Sequence, residues 1–207
     1  KYCKKIFCYT EQVQNFPEKF KYKIISIYPL VKKHIYELNS SKNIRDKFNL
    51  LIVGGSQGAE IFNNNLKDSI VNISKKIPVK VFQQTNEKNI AFLSDFYSKN
   101  NLENEIFSFD NNFANYLQKT DLSITRAGAS TLAELSVMNI PFITVPLPSS
   151  KDNHQLKNAK FYQDNNCCWL IEQNYFEKKI QEILEEIVDD KTNYLKKKEN
   201  LKKLNFQ

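Results

Sequence analysis

Three short segments of this chain concentrate the residue types that hold phosphorylated or hydroxyl-rich ligands. The first is Gly54-Gly55-Ser56-Gln57-Gly58-Ala59, directly after the apolar run Asn49-Leu50-Leu51-Ile52-Val53. A glycine-rich turn from strand to helix lets backbone N–H groups close on an anion, and the helix N-terminus adds roughly half a positive charge. A tight turn without a ligand is the alternative reading. The segment lacks the Gly-Lys-Ser/Thr of a P-loop and the Gly-x-Gly-x-x-Gly of a nicotinamide site.

The second segment runs from Asp121 through Leu122-Ser123-Ile124-Thr125-Arg126-Ala127-Gly128-Ala129-Ser130-Thr131-Leu132-Ala133 to Glu134. Again a strand pattern enters a helix pattern through glycine. Ser130 and Thr131 can cap that helix or bond a phosphate. Glu134, one turn in, can reach back to the helix N-terminus or accept from the two hydroxyls of a ribose. Two glycine turns on one sheet edge suit a diphosphate better than either turn alone.

The third segment, Pro146-Leu147-Pro148-Ser149-Ser150-Lys151-Asp152-Asn153-His154-Gln155-Leu156-Lys157-Asn158-Ala159, opens a further helix. His154, Gln155 and Asn158 offer donors and acceptors at i, i+1 and i+4, a set suited to sugar hydroxyls. A polar helix start without a ligand is the other reading, and His154 reads as a hydrogen-bonding residue rather than a general base. No Asp-x-Asp and no His-Glu-x-x-His occurs, so neither a divalent metal nor another cofactor is expected. Loop amides and helix dipoles then have to stabilise a leaving phosphate.

The four glycines of the chain, Gly54, Gly55, Gly58 and Gly128, all fall in these segments. Such economy reserves glycine for places where backbone geometry or close approach demands it. The elements that must position the segments follow from hydrophobic periodicity. Strand patterns are read at 49–53, 79–82, 105–109, 121–125, 142–145 and 167–171. Helix patterns follow at 59–77, 87–97, 113–117, 129–137, 154–163, 176–188 and 194–204. In the first helix Phe62, Leu66, Ile70, Ile73 and Ile77 recur at helical spacing and Pro78 stops the run. Apolar strands alternating with helices predict an α/β fold: a Rossmann-like, doubly wound parallel sheet covered on both faces. Residues 1–40 differ. Ile6–Tyr9 and Ile24–Ile27 read as two strands at the end of a preceding domain. A polar linker, Asn39–Asn43, leads into a second domain at 41–207.

Composition narrows the function classes. The chain has 207 residues, 41% of them hydrophobic, with fifteen Phe and ten Tyr. That is enough apolar surface for a core and excludes a disordered chain. No apolar run approaches the roughly 18 residues of a membrane span, and no secretory signal is evident. The missing initiator Met points to a fragment. The net charge of +7 favours an anionic partner such as phosphate, nucleic acid or an acidic membrane surface, unless it only solvates a Lys-rich exterior. Cys3, Cys8, Cys167 and Cys168 form no Cys-x-x-Cys pair and read as reduced, partly buried thiols of a cytosolic protein.

Taken in order and spacing, the three segments resemble the C-terminal, donor-binding half of bacterial GT-B glycosyltransferases of family 28. These are the inverting enzymes that add N-acetylglucosamine to undecaprenyl-diphospho-muramoyl-pentapeptide in peptidoglycan synthesis. The resemblance spans residues 48–172, and Tyr28-Pro29-Leu30-Val31-Lys32 resembles the family's interdomain Pro-x-Val-Arg segment. It implies UDP-N-acetylglucosamine as ligand and no nucleic acid. By position, Gly55, Ser56, Gln57 and Gly58 fall at the diphosphate. Arg126, Gly128, Ala129, Ser130, Thr131 and Leu132 wrap phosphate and ribose, with Glu134 on the ribose hydroxyls. Asp110 offers backbone to the uracil edge, and His154, Gln155 and Asn158 face the sugar. Lys32 stands where the family has Arg, keeping the charge but losing the planar fork. The family's glycine-rich acceptor loop has no counterpart here. The resemblance therefore implies a lipid-linked acceptor reached only through an N-terminal domain, no catalytic residue in this chain, and a peripheral place on the cytoplasmic face of the inner membrane. A UDP-N-acetylglucosamine 2-epimerase, or a non-catalytic or split nucleotide-sugar-binding subunit, is the alternative.

Overall fold

The computed structural model describes residues 3–8, 16–27, 30–38, 46–55, 60–108 and 113–205. Two short parallel strands come first, β1 (Ile6–Cys8) and β2 (Ile24–Ser26), joined through a 3-10 turn at Glu18–Lys23. A single-turn helix, α1 (Lys33–Glu37), follows, and its Ile35 is buried. These are the two strands expected before residue 40. The polar linker 39–43 lies outside the described residues.

The main body alternates strand and helix: β3 (Phe48–Val53), α2 (Glu60–Asn65), α3 (Lys67–Ser74), β4 (Val79–Gln84), α4 (Glu87–Lys99), β5 (Glu103–Phe107), α5 (Phe113–Lys119), β6 (Leu122–Thr125), α6 (Ala129–Val137), β7 (Phe142–Thr144), α7 (His154–Asp164), β8 (Cys168–Leu170), α8 (Phe176–Asp189) and α9 (Lys191–Asn205). The six strands of the body form one parallel sheet in the order β5-β4-β3-β6-β7-β8. The chain thus starts in the middle, winds outward to β5, then crosses back to β6 and winds the other way. This is the doubly wound order, with its reversal between β3 and β6.

Consecutive side chains of β3 feed opposite faces. Leu50 and Ile52 join one core cluster with Phe62, Ile70, Phe176 and Ile180. Leu51 and Val53 join the other with Leu132, Phe142, Tyr162 and Leu201. A strand buried on both sides takes apolar residues on both faces, which explains the run Leu50–Val53, while buried polar residues such as Asn49 and Gln83 are hydrogen-bonded.

The expected single helix over 59–77 divides. The chain leaves helical regularity at Leu66 and resumes in α3. Its apolar stripe still reaches the core, because Phe62, Leu66, Ile70 and Ile73 are all buried. The break sits beside a closed polar network. Asn63 Nδ2 donates to Thr85 Oγ1 at 2.9 Å, Gln83 Nε2 donates to Asn63 Oδ1 at 2.9 Å, and Tyr97 Oη donates to Gln83 Oε1 at 2.8 Å. The strand expected at 105–109 begins two residues earlier and ends at Phe107. The last helix starts at Lys191 rather than Tyr194.

With so little glycine, the chain stops helices with asparagine. Asn101, Asn139 and Asn166 all have positive φ and follow α4, α6 and α7. In each case the next residue donates back five positions. Leu102 N bonds Tyr97 O, Ile140 N bonds Leu135 O, and Cys167 N bonds Tyr162 O, at 2.8–2.9 Å. These are Schellman stops, and each places a buried residue immediately after the turn. All four cysteines are free, with Cys3 exposed and Cys167 and Cys168 buried. Burial pushes their thiols up to about 11 and about 12, so both are un-ionised and unreactive at neutral pH.

The left-handed stop gives a stability test. Asn101→Ala is expected to cost about 1 kcal/mol in urea unfolding, because alanine tolerates that region poorly. Asn101→Gly is expected to cost nothing.

Candidate functional site

The reversal of winding direction brings the carboxyl ends of β3 and β6 side by side. Their register pairs Val53 with Thr125, and Arg126 N donates to Val53 O at 3.2 Å. Gly54-Gly55 and Ala127-Gly128 therefore leave the sheet as neighbours, as the diphosphate reading of the two turns requires. A cavity of about 460 Å³ opens there. Val53, Gly54 and Gly55 line it from the first loop, Thr125, Arg126, Gly128 and Thr131 from the second, and Leu147, Ser149, Ser150, Lys151, His154 and Gln155 from the third. In open α/β sheets, ligands bind in this crevice at the switch point.

Two of the described turn glycines at this edge, Gly55 and Gly128, differ. Gly55 has φ +76°, a backbone conformation that side chains resist. Gly128 has φ −70°, which any residue adopts. A β-carbon built there meets only Thr131 Oγ1, at 3.9 Å. The expectation that backbone geometry demands glycine thus holds at Gly55 and fails at Gly128. What an enlarged residue 128 would occupy is cavity.

Gly128 is the N-cap of α6 and brings no side chain to it, and among the described residues no side chain bonds the first amides of the helix. The capping readings of Ser130, Thr131 and Glu134 are thereby corrected. The first amides of α6 are left for another acceptor. Glu134 is half-buried, and no described residue hydrogen-bonds its carboxylate. Burial pushes its pKa up against the opposing pull of Lys32 and His34. Lys32, just before α1, therefore stands on the α6 side of the molecule, within electrostatic reach of Glu134.

Three side chains tie the loops together. Arg126 Nη1 donates to Val145 O at 3.1 Å and Nη2 to Gln173 Oε1 at 2.7 Å, while the guanidinium lies over the Phe62 ring. Burial lowers its pKa. Gln155 Oε1 accepts from Leu147 N at 2.9 Å, and Asn158 Nδ2 donates to Ala127 O at 3.0 Å. Arg126 and Asn158 thus spend donors on holding the cleft. Gln155 keeps its amide N–H groups for a ligand. His154 Nδ1 lies 2.7 Å from Lys151 O. A carbonyl only accepts, so Nδ1 carries the proton and Nε2 is left as an acceptor.

Of the residues singled out from sequence, the cavity gathers Gly55, Arg126, Gly128, Thr131, His154 and Gln155. Lys32, Ala129, Ser130, Glu134 and Asn158 stand around it rather than in its wall. Leu132 is corrected outright: its side chain is fully buried in the core and its N–H donates to Gly128 O. Ser56, Gln57, Gly58 and Asp110 lie outside the described residues. The wall residues that sequence reasoning passed over are Val53, Thr125, Leu147, Ser149, Ser150 and Lys151. The signal for the last three was the Asp152-Asn153 pair beside them, since Asp and Asn are the side chains that tolerate left-handed backbone. Both take it here, at φ +52° and +53°.

Fold and cleft define a doubly wound α/β domain with a crevice at its switch point, and comparison with known proteins makes the class specific. The model of the glycosyltransferase family 28 C-terminal domain matches residues 49–207, and the chain belongs to that family. It is 44% identical over all of its 207 residues to the UDP-N-acetylglucosamine–N-acetylmuramyl-(pentapeptide) pyrophosphoryl-undecaprenol N-acetylglucosamine transferase of Pelagibacter ubique, covering 58% of that protein. The protein of the same name from Rickettsia canadensis is 40% identical over 178 residues, which cover 84% of this chain and 50% of the relative. Among solved structures, Acinetobacter baumannii MurG superposes with a TM-score of 0.68 at 25% identity, over 84% of this chain and 49% of that one. The chain spans about half the length of the relatives it matches.

The contrast between the two glycines is measurable. Gly55→Ala is expected to lower unfolding stability by about 1–2 kcal/mol through its positive φ. Gly128→Ala is expected to cost less, about 0.5–1 kcal/mol in urea unfolding, the difference between glycine and alanine at an unstrained helix N-cap.

Proposed function

We propose that this chain is the donor-binding half of an inverting glycosyltransferase that moves N-acetylglucosamine from UDP-N-acetylglucosamine to a lipid-linked muramoyl-pentapeptide. The observation that carries the reading is the pairing of two glycine loops at the switch point with a third, polar loop across the cleft. The uncapped start of α6 supplies amides and dipole for a diphosphate. The cavity space beside Gly128 leaves room for the phosphates to approach the backbone. Glu134 gives a desolvated carboxylate in search of donors, which ribose hydroxyls provide. His154 Nε2 and the Gln155 amide face a sugar.

In the reaction an acceptor hydroxyl attacks the anomeric carbon from the face opposite UDP. The new C–O bond forms as the bond to the β-phosphate oxygen breaks, and the hydroxyl proton passes to a base. The residues of this chain hold the donor and stabilise the departing diphosphate by amides and helix dipole. Ser56, Gln57 and Gly58 are assigned to the diphosphate and Asp110 to the uracil from their sequence positions alone. Residues 1–40 are read as the end of the acceptor domain, with Lys32 at the junction. That domain supplies the lipid-linked acceptor, the base and contact with the acidic cytoplasmic face of the inner membrane. Among the described residues, no helix is long and apolar enough to cross a membrane.

Calorimetric titration of the 207-residue chain is expected to show UDP-N-acetylglucosamine binding that EDTA does not alter. Radiolabel transfer to a lipid acceptor analogue is expected to be absent. Robust transfer by these residues alone would refute the domain reading.

Glu134 gives a sharper test. Glu134→Ala is expected to cost about 1.5–3 kcal/mol of UDP affinity, the value of hydrogen bonds to a charged group. The cost should vanish with 2′,3′-dideoxy-UDP. Without ligand, Glu134→Gln is expected to melt no earlier than the parent at pH 7, because it removes a desolvated charge.

A further inference from the structure

The loop from Leu147 to Asn153 holds a hydroxyl that the fold does not use. Ser150 stands in the cavity wall beside His154 and Gln155, and its Oγ is shut off from solvent with no hydrogen-bond partner. An unpaired buried hydroxyl costs stability, and a neighbouring acceptor or a small side chain would remove that cost. The backbone around Ser150 is nevertheless tightly specified. Ser150 N donates to Leu147 O at 3.1 Å, and Ser150 O accepts from Asn153 N at 3.0 Å. Leu147 N is held by Gln155 and Lys151 O by His154. Directly after this turn come Asp152 and Asn153, two consecutive non-glycine residues in the left-handed region. Such strain persists where the surrounding structure fixes it, and it gathers at ligand sites.

We infer that Ser150 is a donor-contacting residue: its hydroxyl turns about χ1 into the cavity when the ligand arrives and hydrogen-bonds the sugar of the nucleotide-sugar. The sugar rather than the diphosphate is assigned because Ser150 shares its loop and its cavity wall with His154 and Gln155. The phosphate-side loops, with Gly55 and Gly128, form the facing wall. The inference rests on the proposed nucleotide-sugar reading and adds a specificity contact to it.

The test compares the 207-residue parent with Ser150→Ala by calorimetric titration against UDP-N-acetylglucosamine and against UDP, alongside thermal melts of both proteins. Parent binding of UDP-N-acetylglucosamine tests the underlying reading by itself. Given that binding, Ser150→Ala is expected to weaken UDP-N-acetylglucosamine about 5- to 12-fold, the equivalent of one neutral hydrogen bond. UDP affinity should not change, and the melting temperature should stay the same or rise. Ser150→Thr keeps the hydroxyl and is expected to recover part of the affinity. Equal affinity of parent and Ser150→Ala for UDP-N-acetylglucosamine would overturn the contact. An equal loss for UDP and UDP-N-acetylglucosamine would overturn its assignment to the sugar. A fall in melting temperature with unchanged affinities would make Ser150 a purely structural residue and overturn the inference as well.

Discussion

The pairing of β3 with β6 is the interaction on which the rest of the site depends. These strands are distant in sequence, separated by α2, α3, β4, α4, β5 and α5, yet they lie in register from Leu50 opposite Leu122 to Val53 opposite Thr125. A parallel sheet exposes carboxyl ends on one edge only. Where the winding reverses, the two loops leaving that edge diverge to opposite faces and open a crevice. The amide of Arg126 fixes the last rung on Val53. Everything chemically useful in the chain sits within one loop length of that rung.

The crevice is kept open by side chains that cross between loops. Arg126 links the end of β6 to the chain after β7 and to the turn before α8. Asn158 links α7 to the loop before α6, and Gln155 links α7 to its own approach loop. The Arg126–Gln173 bond joins two side chains, and the other ties place a side-chain donor or acceptor on a backbone group. Arg126 thus braces the loops as well as lining the cavity. Its charge is half-buried, occupied by carbonyls and stacked on Phe62, so it serves the shape of the cleft. Gly128 differs in the opposite sense. Its conformation makes no special demand, so the value of a missing side chain lies in the ligand space it leaves.

The asparagine helix stops show the same economy. A residue at C′ has to enter the left-handed region, and glycine is the usual choice. Here Asn101, Asn139 and Asn166 take that role. Gly55 alone of the described glycines sits at positive φ, next to the cleft, where a side chain would also meet whatever binds.

The sequence by itself determined the layering of the domain, because strands buried on both faces take apolar residues on both and the helices between them must carry one apolar stripe. It also placed the three ligand-facing segments at strand-to-helix turns, since glycine in a glycine-poor chain marks where backbone must bend or be approached. It did not reveal the break at Leu66, where the apolar stripe continues unbroken from α2 into α3. Nor did it separate the ligand-facing members of each segment from the structural ones. Leu132 turns its side chain into the core, Asn158 and Arg126 also brace the loops, and Ser150 stands in the cavity wall. Those assignments turn on which atoms of neighbouring loops lie within hydrogen-bond reach. That distance is set by strand order and register, long-range properties that local spacing does not encode.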